Sequence, residues 1–181
     1  RALMEKDPAL VLSISATTRS PRPGEEHGKD YFFYSEAQFL DMVSGHQFLE
    51  YAKVFGHHYG TPEHFVSDQL QAGKDVIFDI DWQGTKQLKK KMPEDIVSVF
   101  ILPPSMAELE SRLRKRAQDS EEIVLRRMTK ASSEISHWEE YDYVIINRDF
   151  DHSLALLQCI LNAERCKRMR QPGLKEFVEK L

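Results

Sequence analysis

Ser15–Tyr31 reads SATTRSPRPGEEHGKDY. It places Arg19 and Arg22 among the hydroxyls of Ser15, Thr17, Thr18 and Ser20. Arginine forks match the paired oxygens of a phosphate, and hydroxyls supply further donors. Pro21, Pro23, Gly24 and Gly28 rule out a continuous helix or strand and leave a shaped loop. An isolated Arg-x-x-Arg is ordinarily a solvated surface feature. Acidic and aromatic positions further along the chain turn this one into a phosphate-gripping loop.

Working outward, Leu10–Ser15 alternates as a strand that delivers its end to the loop, and Arg1–Lys6 reads as the tail of a helix. Tyr31–Tyr34 is a short strand. Ser35 with Gln38 forms a capping box for a helix whose apolar face is Phe39, Met42 and Val43, with Gly45 as its stop. Phe48–Phe55 is a strand carrying Glu50, followed by a turn over Gly56–Gly60. Thr61 and Pro62 start a helix that ends near Gly73. Asp75–Asp81 (DVIFDID) is a buried strand finishing in acids, and Gln83–Lys91 is a basic helix stopped by Pro93.

Val97–Leu102 is the continuous apolar run of a central parallel strand. Ser105 with Glu108 caps the next helix, which runs into RLRKRAQDSEE, where Ala117–Ser120 interrupts the pattern, and Asp119 with Glu122 can open another towards His137. Tyr143–Ile146 is the last core strand. Asp151 caps a long helix ending near Gln171, and 172–181 forms a short peripheral helix. Strands alternating with helices predict an α/β parallel sheet.

A chain of 181 residues, 41% hydrophobic and 30% charged, is sized for one α/β domain with inserted lobes. No apolar run reaches the roughly 18 residues of a membrane span. Cys159 and Cys166 lie in a helical pattern without a neighbouring ligand cluster, which points to a reduced, cytoplasmic protein. The net charge of −4 argues against bulk nucleic-acid binding. Glu36–Asp81 holds eight acids and two bases, whereas Arg112–Lys130 holds seven bases and three acids. That asymmetry suits a ligand combining a donor-rich base with a polyphosphate.

Glu50 stands in an otherwise apolar and aromatic run. A carboxylate there can accept from the N1–H and N2–H₂ donors of guanine, a pair adenine lacks, and Ser15 or Thr61 could donate to O6. Tyr31 and Tyr59 flank glycine turns where a phenol reaches a phosphate oxygen. Asp79 and Asp81, two apart, present their carboxylates on one face of a strand end. An apolar strand ending in Asp also suits the positioning of magnesium. The bland alternative for either acid is a helix cap or a salt bridge. Arg112 and Arg116 lie one helical turn apart, and Arg127 follows on the next helix, a basic hairpin suited to a transferring phosphoryl group.

These residues resemble one family closely, the bacterial guanylate kinases. The motifs SATTRSPRPGEEHGKDYFF, FLEYAKVFGHHYGTP, DVIFDIDWQG, VFILPPS, RLRKRAQDSEE and YDYVIIN carry the likeness over nearly all of 10–168. The resemblance implies a three-layer parallel-sheet P-loop nucleoside monophosphate kinase fold. Its core would be 1–14, 73–106 and 131–181, with a GMP-binding lobe at 15–72 and a helical lid at 107–130. The implied reaction moves the ATP γ-phosphoryl group to GMP with Mg²⁺. Arg19, Arg22, Tyr31 and Tyr59 would hold the GMP phosphate. Ser15, Glu50 and Thr61 would read guanine, and Gly60 would let the backbone approach. Asp81 would lie close to the nucleotide, and Asp79 near the metal through water. Arg112, Arg116 and Arg127 would embrace the ATP phosphates, with Asn147 beside adenine. The long C-terminal helix and tail offer a surface on which a second copy could pack as a homo-oligomer.

Three departures from the family stand out. The phosphate loop G-x-x-x-x-G-K followed by Ser or Thr is absent. The family carries it just before the position of Arg1, and an uncapped Arg-Ala-Leu favours a chain that begins downstream of it; a polypeptide truly lacking the loop would bind GMP with phosphoryl transfer badly impaired. Ala117 replaces the usual lid glycine, and Arg148 follows Asn147 where an acid is common. A non-catalytic guanylate-kinase-like domain that binds phosphopeptides is the rival reading. Such domains typically lose the acids and lid arginines that are present here.

Overall fold

The computed structural model describes residues 1–116 and 121–181, with Arg116 and Glu122 described for their backbone alone. The expectations for Ala117, for Asp119 with Glu122 as a cap, and for the Arg116 side chain lie outside the described residues. The chain divides into two compact units, Arg1–Ile96 and Val97–Leu181.

In the first unit, α1 (Ala2–Lys6) leads into β1 (Leu10–Leu12), which pairs in parallel with β6 (Asp75–Ile77). Between them lies a sheet ordered β3-β2-β5-β4, built from β2 (Ala16–Thr17), β3 (Phe32–Phe33), β4 (Phe48–Val54) and β5 (His57–Pro62). β2 runs parallel to β3 and antiparallel to β5, and β5 pairs antiparallel with β4. α2 (Glu36–Ser44) begins on the expected capping box of Ser35 and Gln38. It buries Phe39, whose ring stacks on Phe48 at 4.5 Å between centroids. A second cluster joins Leu49 of β4 to Val66 of α3 (Glu63–Gln71) and Leu88 of α4 (Trp82–Lys91). β4 is therefore packed on both faces through Phe48 and Leu49.

The structure corrects several sequence expectations here. Gly56–Gly60 is not a turn. The reversal is made by Phe55 and Gly56, both at positive φ (49° and 87°), the geometry of a primed hairpin turn, and the histidines continue into β5. Thr61 and Pro62 consequently end a strand, and α3 starts at Glu63. Gly73 (φ 73°) stops the chain after α3 as expected, its N–H donating to Leu70 O at 2.9 Å. The Asp75–Asp81 strand is regular only to Ile77, because Asp81 is taken up as the cap of α4. Leu10–Ser15 is likewise regular only to Leu12.

In the second unit β7 (Val99–Leu102) and β8 (Tyr143–Ile146) pair in parallel, with Val99 opposite Tyr143. The Asp142 carboxylate clamps the entrance to this pair, accepting from Ser98 N at 2.8 Å and Ser98 Oγ at 2.7 Å. α5 (Met106–Arg116) starts with Ser105 Oγ accepting from Glu108 N at 3.1 Å, as its capping signature foretold, and α6 (Glu121–Ile135) follows. α7 (Phe150–Arg165) is capped by Asp149, not Asp151. The Asp149 carboxylate accepts from His152 N at 2.8 Å. The helix ends at Arg165, short of Gln171, and α8 (Leu174–Val178) is the short peripheral helix of the tail. Asp149→Ala is expected to cost about 1 kcal/mol. Asp151→Ala, in the first turn but not capping, is expected to cost a few tenths of that figure. Chemical denaturation of both variants checks the assignment.

Candidate functional site

The first unit holds a pocket of about 180 Å³ lined by Ser15, Tyr31, Glu50, Ala52, Val54, Tyr59, Asp79, Ile80 and Asp81. Six of these, Ser15, Tyr31, Glu50, Tyr59, Asp79 and Asp81, were singled out from the sequence. β4 and β5 form one wall, the end of β1 leads to Ser15, and the segment after β6 supplies the two aspartates.

Glu50 is 4% exposed. It sits opposite Thr61 in the β4–β5 register, beside a bulge between Phe48 and Glu50. Cross-strand neighbours are close enough for side chains to bond, and Thr61 Oγ1 donates to Glu50 Oε1 at 2.6 Å. A threonine hydroxyl has a single proton. Thr61 therefore serves the carboxylate, and of the two candidate donors to O6 it is Ser15 that lines the pocket. Gly60 is hemmed in. A Cβ there would lie 3.0 Å from Glu50 O and 3.1 Å from Phe39 Cζ, so close strand packing demands glycine.

Burial pushes the Glu50 carboxyl up to about 7, the nearby Asp81 charge adds to this, and the Thr61 hydrogen bond and Lys91 pull the other way. A raised folded-state value makes the cost of ionising Glu50 absent below the ordinary range near 4.5 and complete above about 7. At roughly 1.4 kcal/mol per unit, that cost is about 3 kcal/mol. Glu50→Gln keeps an acceptor for Thr61 and cannot ionise. Its melting temperature is expected to exceed the parent's at pH 8 and to match it at pH 4.5. Equal shifts at the two pH values would refute the assignment.

The arginine loop is organised around an ion pair. Arg19 Nη2 lies 2.8 Å from Glu25 Oε1, with side chains only 14% and 18% exposed, and Arg19 Nη1 donates to Ser20 O at 2.7 Å. Glu25 Oε2 also accepts from Arg22 N at 2.7 Å. The guanidinium and then the Arg22 N–H hold the Glu25 carboxyl below the usual range. The Arg19 guanidinium lies over the Tyr31 ring, 5.3 Å from its centroid, and Tyr31 meets Tyr59 edge-on at 6.2 Å. Burial raises the Tyr31 phenol. Arg19, Tyr31 and Tyr59 thus form one cluster at the pocket mouth, and the Arg22 side chain stands exposed.

Thr17 and Thr18 have another task. Thr17 Oγ1 donates to His58 O at 3.0 Å, and Thr18 Oγ1 accepts from His58 N at 2.9 Å. These hydroxyls stitch the loop to β5.

The sequence placed Asp79 and Asp81 on one face of a strand. Both reach the pocket, but by a different route. Asp81 is the N-cap of α4, its Oδ1 accepting from Gln83 N at 3.1 Å and Gly84 N at 3.2 Å, whereas Asp79 is exposed. Gly84 was missed. A Cβ there would lie 2.5 Å from Glu50 Oε2, so the first turn of α4 abuts the buried carboxylate. A glycine third in a helix was the available signal, since it costs helix stability without a local reason.

Within the second unit the structure brings Arg112 and Asn147 together. Arg112 Nε donates to Glu108 Oε1 at 2.8 Å, and Nη2 donates to Asn147 O at 3.1 Å. Arg127 lies on α6, and Arg148 is exposed. No cluster of three His, Cys, Asp or Glu able to hold a metal occurs among the described residues, and none of their helices is long and apolar enough to cross a membrane.

The guanylate kinase family model matches residues 1–164. The guanylate kinase of Paramagnetospirillum magneticum is 58% identical over 181 residues, covering 100% of this chain and 85% of that protein. That of Nitrobacter winogradskyi is 55% identical over 100% of this chain and 83% of its own length. The crystal structure of guanylate kinase from Anaplasma phagocytophilum superposes with a TM-score of 0.83 at 40% identity, covering 99% of this chain and 87% of that one. This agrees with the α/β, parallel-strand fold and with the sequence reading of an enzyme over a phosphopeptide-binding module. With a buried acid, an arginine loop and paired tyrosines gathered on a fold of this kind, the chain belongs to the guanylate kinases, nucleoside monophosphate kinases that phosphorylate GMP.

Proposed function

We propose that the pocket of the first unit is the GMP site and that each gathered residue has a separate task in it. Glu50 accepts from guanine N1–H and N2–H₂, Thr61 holds that carboxylate, and Ser15 donates to O6. Arg19, Arg22, Tyr31 and Tyr59 take the phosphate, while Asp81 lies close to the nucleotide and Gly60 keeps β5 against β4. ATP is the phosphoryl donor. Arg112, Arg116 and Arg127 embrace its phosphates, and Asn147 lies beside adenine. The lobes follow the divisions 15–72 for GMP and 107–130 for the lid, and the protein works in the cytoplasm.

The observation that carries this reading is the Glu50–Thr61 pair, a nearly inaccessible carboxylate at a pocket wall that accepts from the Thr61 hydroxyl. Ionising such a group is unfavourable unless a ligand brings donors to it. Guanine brings two of the right kind. Adenine would leave the acid unpaired, a strong basis for rejection.

Magnesium is held in phosphotransferases by one or two carboxylates together with phosphate and water oxygens. The exposed Asp79 carboxylate at this pocket fits that donor type and would hold the ion through water. When bound, the ion neutralises phosphate charge. The acceptor is already a phosphate oxygen, so the chain's own work is alignment and charge neutralisation. Arginines need not exchange protons at any step.

A coupled ADP-release assay on the full-length protein, with GMP and AMP in parallel, tests the assignment. Turnover with GMP and not AMP is expected. Turnover with AMP alone would overturn the guanine pocket.

A further inference from the structure

Helix α4 lies along the edge strand β4 and is fastened to it on both sides of Glu50. Gln87 makes a two-way bridge: its Oε1 accepts from Tyr51 N at 3.1 Å and its Nε2 donates to Tyr51 O at 2.8 Å. One turn on, Lys91 Nζ donates to Phe48 O at 2.6 Å. Gly84, Gln87 and Lys91 are spaced three and four apart, so they form one stripe facing β4. Where Gln87 and Lys91 grip backbone, Gly84 offers only a gap, and the Glu50 carboxylate fills it. A Cβ at Gly84 would lie 2.5 Å from Glu50 Oε2 and 3.1 Å from its carboxyl carbon. The opposite oxygen is tied to Thr61 at 2.6 Å. The carboxylate is thus held between a hydroxyl on β5 and the bare Cα of a helical glycine.

We propose that Gly84 is a specificity-determining positioning residue: its missing side chain fixes where the Glu50 carboxylate sits, with Gln87 setting the spacing of α4 from β4. This rests on the reading of Glu50 as the guanine acceptor. The obstacle met by a Cβ is the end of a side chain and not backbone, so a methyl group at Gly84 displaces the carboxylate while the helix stays in place. Alanine is also the better helix former. Damage to recognition therefore separates from damage to the fold. A misplacement of about 1 Å in a positioned group can cost on the order of a hundredfold. Asp81 and Lys91 face the same carboxylate and are left untouched by the substitution.

The test uses two probes, GMP and inosine monophosphate, which lacks only the 2-amino group. Dissociation constants are measured by calorimetry at pH 8, together with melting temperatures, for the parent chain, Gly84→Ala, Gln87→Leu and Glu50→Gln. The parent should favour GMP over inosine monophosphate by about 10- to 100-fold, the worth of a hydrogen bond to a charged group. Gly84→Ala should lose most of that ratio with its melting temperature kept, and Gln87→Leu should lose part of it. If Gly84→Ala binds both nucleotides with the parental ratio while Glu50→Gln loses it, the positioning role is overturned and the reading of Glu50 stands. If Glu50→Gln itself keeps the ratio, the reading of Glu50 falls first. Should Gly84→Ala give no cooperative melt, the ratio in Gln87→Leu decides in the same way.

Discussion

Glu50→Ala is expected to weaken GMP binding by about 10²- to 10⁴-fold while the folded state survives. The substitution removes the acceptor of two charge-assisted hydrogen bonds, each worth about 1.5–3 kcal/mol and not fully additive. Survival of the fold follows from electrostatics. A carboxyl pushed up to about 7 is one whose ionised form the folded state tolerates poorly, so removing it relieves a cost that offsets part of the lost packing. Calorimetry with GMP, paired with a thermal melt, distinguishes the outcomes. A collapsed melt would make Glu50 a structural residue and remove it from the pocket's chemistry. The parent carries a linked signature. Guanine favours the ionised carboxylate, so affinity for guanosine, which carries no phosphate to titrate, should rise with pH up to about 8, and this rise should vanish in Glu50→Gln.

Arg19→Ala is expected to weaken GMP by about 10- to 100-fold, the worth of a charge-assisted contact to phosphate, with ATP affinity unchanged. Its partner is part of the effect. Glu25 is held ionised by Arg19 at 2.8 Å, and losing the guanidinium leaves that negative charge beside the incoming phosphate. Guanosine, which has the base and no phosphate, separates the two proposed functions of the pocket. Arg19→Ala should bind guanosine like the parent, whereas Glu50→Ala should lose guanosine and GMP alike. A loss of guanosine binding in Arg19→Ala would mean that the arginine supports the base wall, and the division of tasks would be wrong.

Local signals in the chain agree with the structure where a local interaction decides the outcome. Ser35 with Gln38 caps α2, Ser105 caps α5, and Gly73 stops the chain after α3, because each of these is settled within a few residues. Sequence and structure part where two local outcomes compete. Asp149 and Asp151 both offer a carboxylate near the start of α7, and only Asp149 has the extended backbone of a cap. GHHYG looked like a turn because of its glycines, yet Phe55 and Gly56 make the reversal and the histidines are drawn into pairing with β4.

By itself the sequence determined which groups this protein has to work with: the arginine loop, the acid in an apolar strand, the aspartates after β6 and the basic pair of helices. Residue type and spacing are enough for that, since charge, donor count and ring chemistry belong to the side chain wherever it lies. Tertiary structure alone decided their relations. It set Thr61 opposite Glu50, turned Asp81 into the cap of α4, tied Arg19 to Glu25, and brought the bare Cα of Gly84 against the buried carboxylate. Those contacts depend on strand register and helix packing, which are fixed by burying Phe39, Phe48, Leu49 and Leu88 together with their neighbours, and no short stretch of residues encodes the distance between two elements it does not contain.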